Sequence, residues 1–312
     1  MKKLNLAIIG IGHLGSRHLK VFKEQLADQV NVVGLCDLKL DRTKKLADHY
    51  GVAVFEDYRQ LPGLVEAVSI CVPTTAHHRI ARYFLERRIH TFIEKPITLN
   101  LKQAESLIEL AQHHKLKLQV GHVERFNSAF TAVSALIQNP LFIECHRLNP
   151  FPNRSLDIGV VMDLMIHDID IILGLVKVSI KEVRAVGVKV LTDREDIANA
   201  RLTFANGCVC NLTASRVSDE VMRKIRIFLP DTYISLDYVR QEAFLYKKNG
   251  AAITKSSLPI EKEEPLKKEL ESFIRCVREN QTPLVSGTEA KEALKVALDI
   301  NKHIWKNPLL TS

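Results

Sequence analysis

Several features of metal-binding, membrane and nucleic-acid proteins are missing from this sequence. Its six cysteines, Cys36, Cys71, Cys145, Cys208, Cys210 and Cys276, form no C-x-x-C motif. A zinc site of the usual spacing is therefore not expected, and no other metal is. Several cysteines sit inside apolar runs, as small buried residues do, and a reducing cytoplasm suits them. No apolar run reaches the length of a membrane span. Met1-Lys2-Lys3 followed by Leu4 to Gly12 mimics the start of a signal peptide. Its apolar part is short, however, and glycines interrupt it where cleavage would be expected, so it reads as a first strand. Runs of lysine and arginine with interleaved aromatics are missing, so no nucleic-acid partner is expected. Internal repeats and low-complexity segments are absent too.

What is present is an ordinary soluble composition, 46% hydrophobic and 26% charged. A chain of 312 residues has room for two domains and a sizeable core. The net charge of +8 suits an anionic ligand, phosphates included, as well as it suits solubility.

Leu6 to Gly10 reads as a buried parallel strand. Gly10-Ile-Gly12-His13-Leu14-Gly15 comes next, then a helical pattern through Leu19, Phe22 and Leu26, then a second strand, Val30 to Cys36, ending at Asp37. This is a dinucleotide-binding fingerprint in its proper setting. Gly10 permits the tight turn, Gly12 lets backbone approach a pyrophosphate, and Gly15 lets helix and strand pack closely. The pyrophosphate would sit at the helix N-terminus, where free N–H groups and the dipole favour anions. Asp37 would accept from a ribose 2′-hydroxyl and repel a 2′-phosphate, which favours NAD over NADP, although Lys39 and Arg42 are close by.

Strand and helix patterns then alternate: strand Ala67 to Val72, helix Ala76 to Arg88, strand His90 to Glu94, helix Leu99 to His114, strand Leu116 to Val120. The expected fold class is α/β, with an N-terminal doubly wound parallel sheet over 1–121. Pro73-Thr74, Glu94-Lys95-Pro96 and Gly121-His122 come after strand ends, where such sheets bind ligands. Residues 122–312 change texture. A helical stretch runs from Phe126 to Ile137, and strand-like runs dominate from Val183 to Tyr246, with a hairpin signal at Asn206-Gly207. Lys247 to Glu264 reads as the most loop-like stretch. Two amphipathic patterns close the chain, through Leu266 to Val277 and Ala290 to Ile304. This half is expected to be an α/β domain for substrate binding and oligomerisation, with an open, largely antiparallel sheet. Its last helices are free to pack back on the first domain.

One helix stands out. From Gly159 to Gly174 it is apolar on most of its circumference, with Asp157 a plausible N-cap. Asp163, His167, Asp170 and Gly174 form a narrow polar stripe along it, and Asp163 and His167 are neighbours at the helical period. A buried carboxylate and imidazole are costly unless paired or working.

Gly10-x-Gly12-x-x-Gly15, Pro73-Thr-x-x-His77, Glu94-Lys95-Pro96 and Asp163-x-x-x-His167, in this order, resemble the glucose–fructose oxidoreductase / inositol dehydrogenase / rhizopine-catabolism (Gfo/Idh/MocA) family over nearly the whole chain. The resemblance implies an NAD-dependent oxidoreductase acting on a CH–OH group of a sugar or nucleotide sugar. It implies a Lys-Pro bond that is commonly cis, and a homodimer or homotetramer. It makes Lys95, Asp163 and His167 the catalytic positions. Pro73, Thr74 and His77, with Glu94 and Lys95, join Gly10, Gly12, His13, Leu14, Gly15 and Asp37 at the cofactor. An imidazole titrates near working pH, so His167 suits the general base; Lys95 would stabilise charge on the reacting oxygen, and the exchanged roles are also open. Gly121 to Asn127 and Asp157 to Asp170 further resemble the branch that contains UDP-N-acetylglucosamine 3-dehydrogenases, although Ser128 stands where proline would be expected. That implies oxidation of a sugar C3 hydroxyl for a partner aminotransferase, in 2,3-diamino-sugar synthesis. Arg125, Asn127, Arg154 and His167 are then the substrate candidates, the arginines for a diphosphate. A free-polyol dehydrogenase and a non-catalytic NAD- or sugar-sensing regulator are the alternatives.

Overall fold

The computed structural model describes residues 2–151 and 158–306. Two compact units are formed, one from 1–122 with 264–291, the other from 123–263 with the residues from 292 on.

The first unit carries β1 (Leu4–Ile9), α1 (His13–Glu24), β2 (Val30–Cys36), α2 (Leu40–Tyr50), β3 (Ala53–Phe55), β4 (Ala67–Ile70), α3 (Thr74–Glu86), β5 (His90–Glu94), α4 (Leu101–His113) and β6 (Leu118–Gly121). All six strands are parallel, in the order β3-β2-β1-β4-β5-β6. Leu6, Ala7, Ile8, Val68 and Ile70 are fully buried. Helices on both faces of a parallel sheet demand such unbroken apolar runs. The strand order reverses direction at β1 and β4, and the carboxyl ends of those strands flank the place where such sheets take ligands. The sequence pattern had no sign of α2 or β3. α2 buries only Thr43 and Ala47, and β3 is three residues long, so neither has an apolar periodicity to read.

In the second unit come α5 (Ser128–Ser134), β7 (Phe142–Leu148), a π-helical turn (Val161–Met165), α6 (Ile166–Leu175), β8 (Ile180–Val188), β9 (Ile197–Phe204), β10 (Val209–Ser215), β11 (Met222–Phe228), β12 (Thr232–Asp237), β13 (Glu242–Asn249) and β14 (Ala252–Ser257). The strands make one sheet, β14-β13-β12-β11-β7-β10-β9-β8, antiparallel except where β7 runs beside β10. Ile143, Cys145, Leu212, Ile225, Ile227, Ile234 and Leu236 form the buried face. The register lines up Phe142, Phe228, Tyr233 and Tyr246 directly opposite one another on the other face. Their rings succeed one another at 5.6, 5.2 and 4.2 Å between centroids. Asn206-Gly207 does turn β9 into β10, with φ of +86° at Gly207, a conformation that favours glycine.

The expected loop from Lys247 to Glu264 is corrected by β14, which pairs with β13. Every residue of β14 is exposed, so it has no apolar face to reveal it; a lysine-bearing edge strand also resists pairing with other chains. The expected helix from Phe126 to Ile137 is shorter, a 3-10 turn at Val123–Phe126 and then α5. After β14 come α7 (Pro265–Arg278), in the first unit, and α8 (Gly287–Trp305). Phe273 of α7 packs edge-on against Phe92 at 5.8 Å, and Gln119 of β6 donates to the Glu269 carbonyl at 3.0 Å.

Candidate active site

The glycine loop between β1 and α1 has the shape its spacing requires. Gly10 has φ of +88°, and a Cβ there would lie 2.7 Å from the Cys71 carbonyl. A Cβ at Gly15 would stand 1.8 Å from the Gly10 carbonyl oxygen, so only glycine lets α1 approach β1 this closely. Gly12 is different: a Cβ there would meet nothing within 4 Å. It borders open space at the start of α1, where no side chain caps the helix and the first turn carries no acid. The first-turn N–H groups and the dipole of a helix make a seat for a pyrophosphate. His13 is exposed and Leu14 half-buried in that first turn. Asp37, just past β2, accepts from Ile11 N–H with one carboxylate oxygen and from Lys39 N–H with the other, at 2.8 Å. Each oxygen keeps a lone pair for a ribose hydroxyl. These residues fit an adenine dinucleotide.

The strand ends beside the loop hold the rest of the expected cofactor residues. Pro73 is exposed and Thr74 buried at the start of α3. His77 is buried, with its ring nitrogens 2.9 Å from the carbonyls of Val72 and Pro96. Burial pushes its pKa down, against the pull of both carbonyls. The ring ties the end of β4 to the end of β5. Glu94 is also buried, and its carboxylate lies 3.0 Å from His18 Nε2. A Cβ at Gly121 would come within 2.9 Å of that carboxylate, so the glycine leaves it room. Glu94 and His77 thus frame the turn that carries Lys95, which is half-buried and joined to Pro96 by a cis peptide. His18 went unread in the sequence. Its signal was a histidine on the apolar side of α1, three residues after Gly15.

In the second unit the polar stripe does not lie on one regular helix. Asp163 falls in the π-helical turn and His167 at the start of α6, both half-buried. A π turn carries an extra residue, which rotates the next helical turn about its axis; such turns recur at functional sites. The beginning of this segment is clamped. A Cβ at Gly159 would overlap the Glu195 carboxylate at 1.8 Å, and Val160 N–H donates to the Glu195 carbonyl at 2.9 Å. Burial raises the Glu195 pKa. Arg216, fully buried, donates to Asp196 at 2.8 Å and to the Ile158 carbonyl at 2.9 Å. The expected cap Asp157 and the candidate Arg154 lie outside the described residues.

Arg125 and Asn127 both have partners within the second unit. Arg125 Nε lies 2.9 Å from the Asp170 carboxylate, and the guanidinium covers Gly174, where a Cβ would be 2.0 Å from it. Its charge is therefore balanced inside the unit. Asn127, 2% exposed, caps α5 by accepting from Ala129 N–H, and donates to the Tyr238 carbonyl at 3.1 Å. Beside them Arg147 is bidentate to Asp168, at 2.9 and 2.8 Å, and donates to Glu124 at 2.8 Å. Arg147, Asp168 and Glu124 were not singled out from the sequence. Their one visible sign was an arginine in phase with Ile143 and Cys145 on the core face of β7.

Known proteins share both halves. Residues 4–122 match the family model for an oxidoreductase family with an NAD-binding Rossmann fold, and residues 121–230 match that for a GFO/IDH/MocA C-terminal domain. A UDP-N-acetylglucosamine 3-dehydrogenase of Acidithiobacillus ferrooxidans is 34% identical, over 96% of this chain and 97% of its own. Its solved structure superimposes with a TM-score of 0.91, covering 97% of this chain and 98% of that one. A myo-inositol 2-dehydrogenase of Thermotoga maritima is 26% identical over 96% of each chain. Both domains, the NAD loop and the full-length likeness agree: the chain belongs to the GFO/IDH/MocA family of NAD-binding oxidoreductases.

Proposed function

We propose that the chain oxidises the C3 hydroxyl of UDP-N-acetylglucosamine to a ketone, with NAD as the electron acceptor. The observation that carries this is the 34% identity, end to end, with the Acidithiobacillus ferrooxidans UDP-N-acetylglucosamine 3-dehydrogenase. When bound, NAD supplies the hydride acceptor at its nicotinamide. His167 takes the hydroxyl proton on an imidazole nitrogen, imidazole being the side chain most often used as a general base. Lys95 donates from Nζ to the same oxygen and stabilises its developing charge. Asp163, in the π turn, orients the substrate or His167. Gly10, Gly12 and Gly15 seat the pyrophosphate, and Asp37 holds the adenosine ribose.

The product ketone is suited to a sugar aminotransferase, which is the partner we propose, in the cytoplasm. Among the described residues no helix is long and apolar enough to cross a membrane. The working form is a homodimer or homotetramer, and the half-buried aromatic row Phe142-Phe228-Tyr233-Tyr246 supports contact with a second copy through the sheet.

A free polyol is the second reading. The pairing of Arg125 with Asp170 favours it, since this removes one cation from those offered to a diphosphate. NADH formation with UDP-N-acetylglucosamine, UDP-glucose and myo-inositol, run with a ketone trap, separates the two. Turnover confined to UDP-N-acetylglucosamine is expected. Turnover only with myo-inositol would move the chain to the polyol dehydrogenases, and tight NAD binding without any turnover would move it to the sensors.

A further inference from the structure

Asp168 and Asp170 follow His167 in the first turn of α6, and each meets an arginine. Arg147, on β7, is bidentate to Asp168 at 2.9 and 2.8 Å and donates to Glu124 at 2.8 Å. Arg125 Nε lies 2.9 Å from the Asp170 carboxylate. Glu124 and Arg125 are neighbours in the 3-10 turn Val123–Phe126. One run of alternating charges, Asp168, Arg147, Glu124, Arg125 and Asp170, thus joins β7, that turn and α6, all within the second unit. Arg147, Asp168, Glu124 and Asp170 are buried. Burial pushes the Arg147 pKa down, but Asp168 and Glu124 outweigh it and keep the guanidinium charged. Buried charges of this kind are a poor way to gain stability, since apolar side chains of similar volume hold elements together as well or better. What apolar contacts do not give α6 is a fixed rotation. Ile166, Ile169, Ile171 and Ile172 are completely buried and lie all round its axis. A helix apolar on every side fits its slot nearly as well after a small turn. The π turn before α6 departs from the regular helical repeat, so the preceding residues do not impose the rotation either. Asp168 and Asp170 stand about 200° apart around the axis, so their arginines hold it from two sides. His167 falls in the shorter arc between them. A bidentate guanidinium accepts its carboxylate in one orientation only.

We propose that Arg147 with Asp168, and Arg125 with Asp170, are positioning residues: they fix the rotation of α6 and so hold the His167 imidazole at the angle from which it takes the substrate proton. The proposal rests on the reading of His167 as the general base. It gives the buried charges a task that stability alone does not explain.

The test replaces the Arg147 charges together, because removing one partner strands the other. The full chain carries Glu124→Gln, Arg147→Met and Asp168→Leu at once; the amide at 124 keeps an acceptor for Asn127 Nδ2, which donates to Glu124 at 3.3 Å. Melting temperature, calorimetric NAD affinity, and kcat and KM with UDP-N-acetylglucosamine are measured. The His167 ring is followed by NMR in protein labelled with 15N-histidine, its signal assigned through His167→Asn. The melting temperature, NAD affinity and KM should hold while kcat falls about a hundredfold, as a misplaced base requires. The His167 signal should shift and broaden. An unchanged kcat, or a His167 signal that does not move, overturns the proposal. Arg147→Lys is the second variant, for the case in which the triple substitution unfolds the chain. It keeps the charge but loses the fork, and should lower kcat about tenfold with KM and NAD affinity kept; an unchanged kcat and His167 signal overturn the proposal there too. The NMR signal needs no substrate, so it judges the positioning even where no sugar turns over, a result that would count against the proposed reaction instead.

Discussion

At the scale of single residues, Gly12 and Gly15 separate binding from folding. An alanine methyl at Gly12 projects into open space, whereas one at Gly15 strikes the Gly10 carbonyl. Gly12→Ala should keep its melting temperature and weaken NAD binding by about 1.4 kcal/mol, or tenfold, by crowding the pyrophosphate. Gly15→Ala should lose both NAD binding and stability. Calorimetric titration beside thermal melting checks the pair; equal losses of stability would contradict the assignment. The close packing at Gly15 was legible from spacing alone, because the fingerprint is local. The partners of Arg125 and Asn127 were not, because Asp170 and the Tyr238 carbonyl lie far along the chain. A sequence shows a guanidinium fit for phosphate but not the carboxylate already facing it.

At the scale of elements, buried ion pairs brace the second unit. Removing one partner strands the other, so Asp168→Asn, which leaves Arg147 half-paired, should cost about 3 kcal/mol. A free energy of unfolding lower by that amount in a denaturant titration is the expected result. The Asp196 carboxylate, which anchors Arg216 and through it the Ile158 carbonyl, adds a pH dependence. Burial pushes its pKa up, but N–H groups of Leu191, Val190 and Thr192, with Arg216, hold it well below the ordinary 3.8. A lowered native value means stability that is complete above the unfolded value and lost as pH falls through the native one. Asp196→Asn should therefore melt lower than the unaltered protein at pH 7, and the gap should narrow below pH 4. A gap of equal size at both pH values would contradict the pairing. The helix carrying Asp163 and His167 was visible as an apolar run. Its π turn was not, since apolar residues all round give no face from which an extra residue could be noticed.

At the scale of the molecule, the two-part architecture was readable because parallel strands between helices and alternating antiparallel strands leave different periods in a sequence. What escaped were short or wholly exposed elements, α2, β3 and β14, which bury too little to leave a pattern. The proposed reaction removes the hydrogen at C3 of the sugar. UDP-N-acetylglucosamine deuterated at C3, incubated with NAD and the protein, tests it without requiring the ketone to accumulate. Mass spectrometry of the reduced cofactor should show it one mass unit heavier, and His167→Ala should bind NAD yet transfer no deuterium. Unlabelled NADH, with the hydrogen taken from another carbon, would contradict the account.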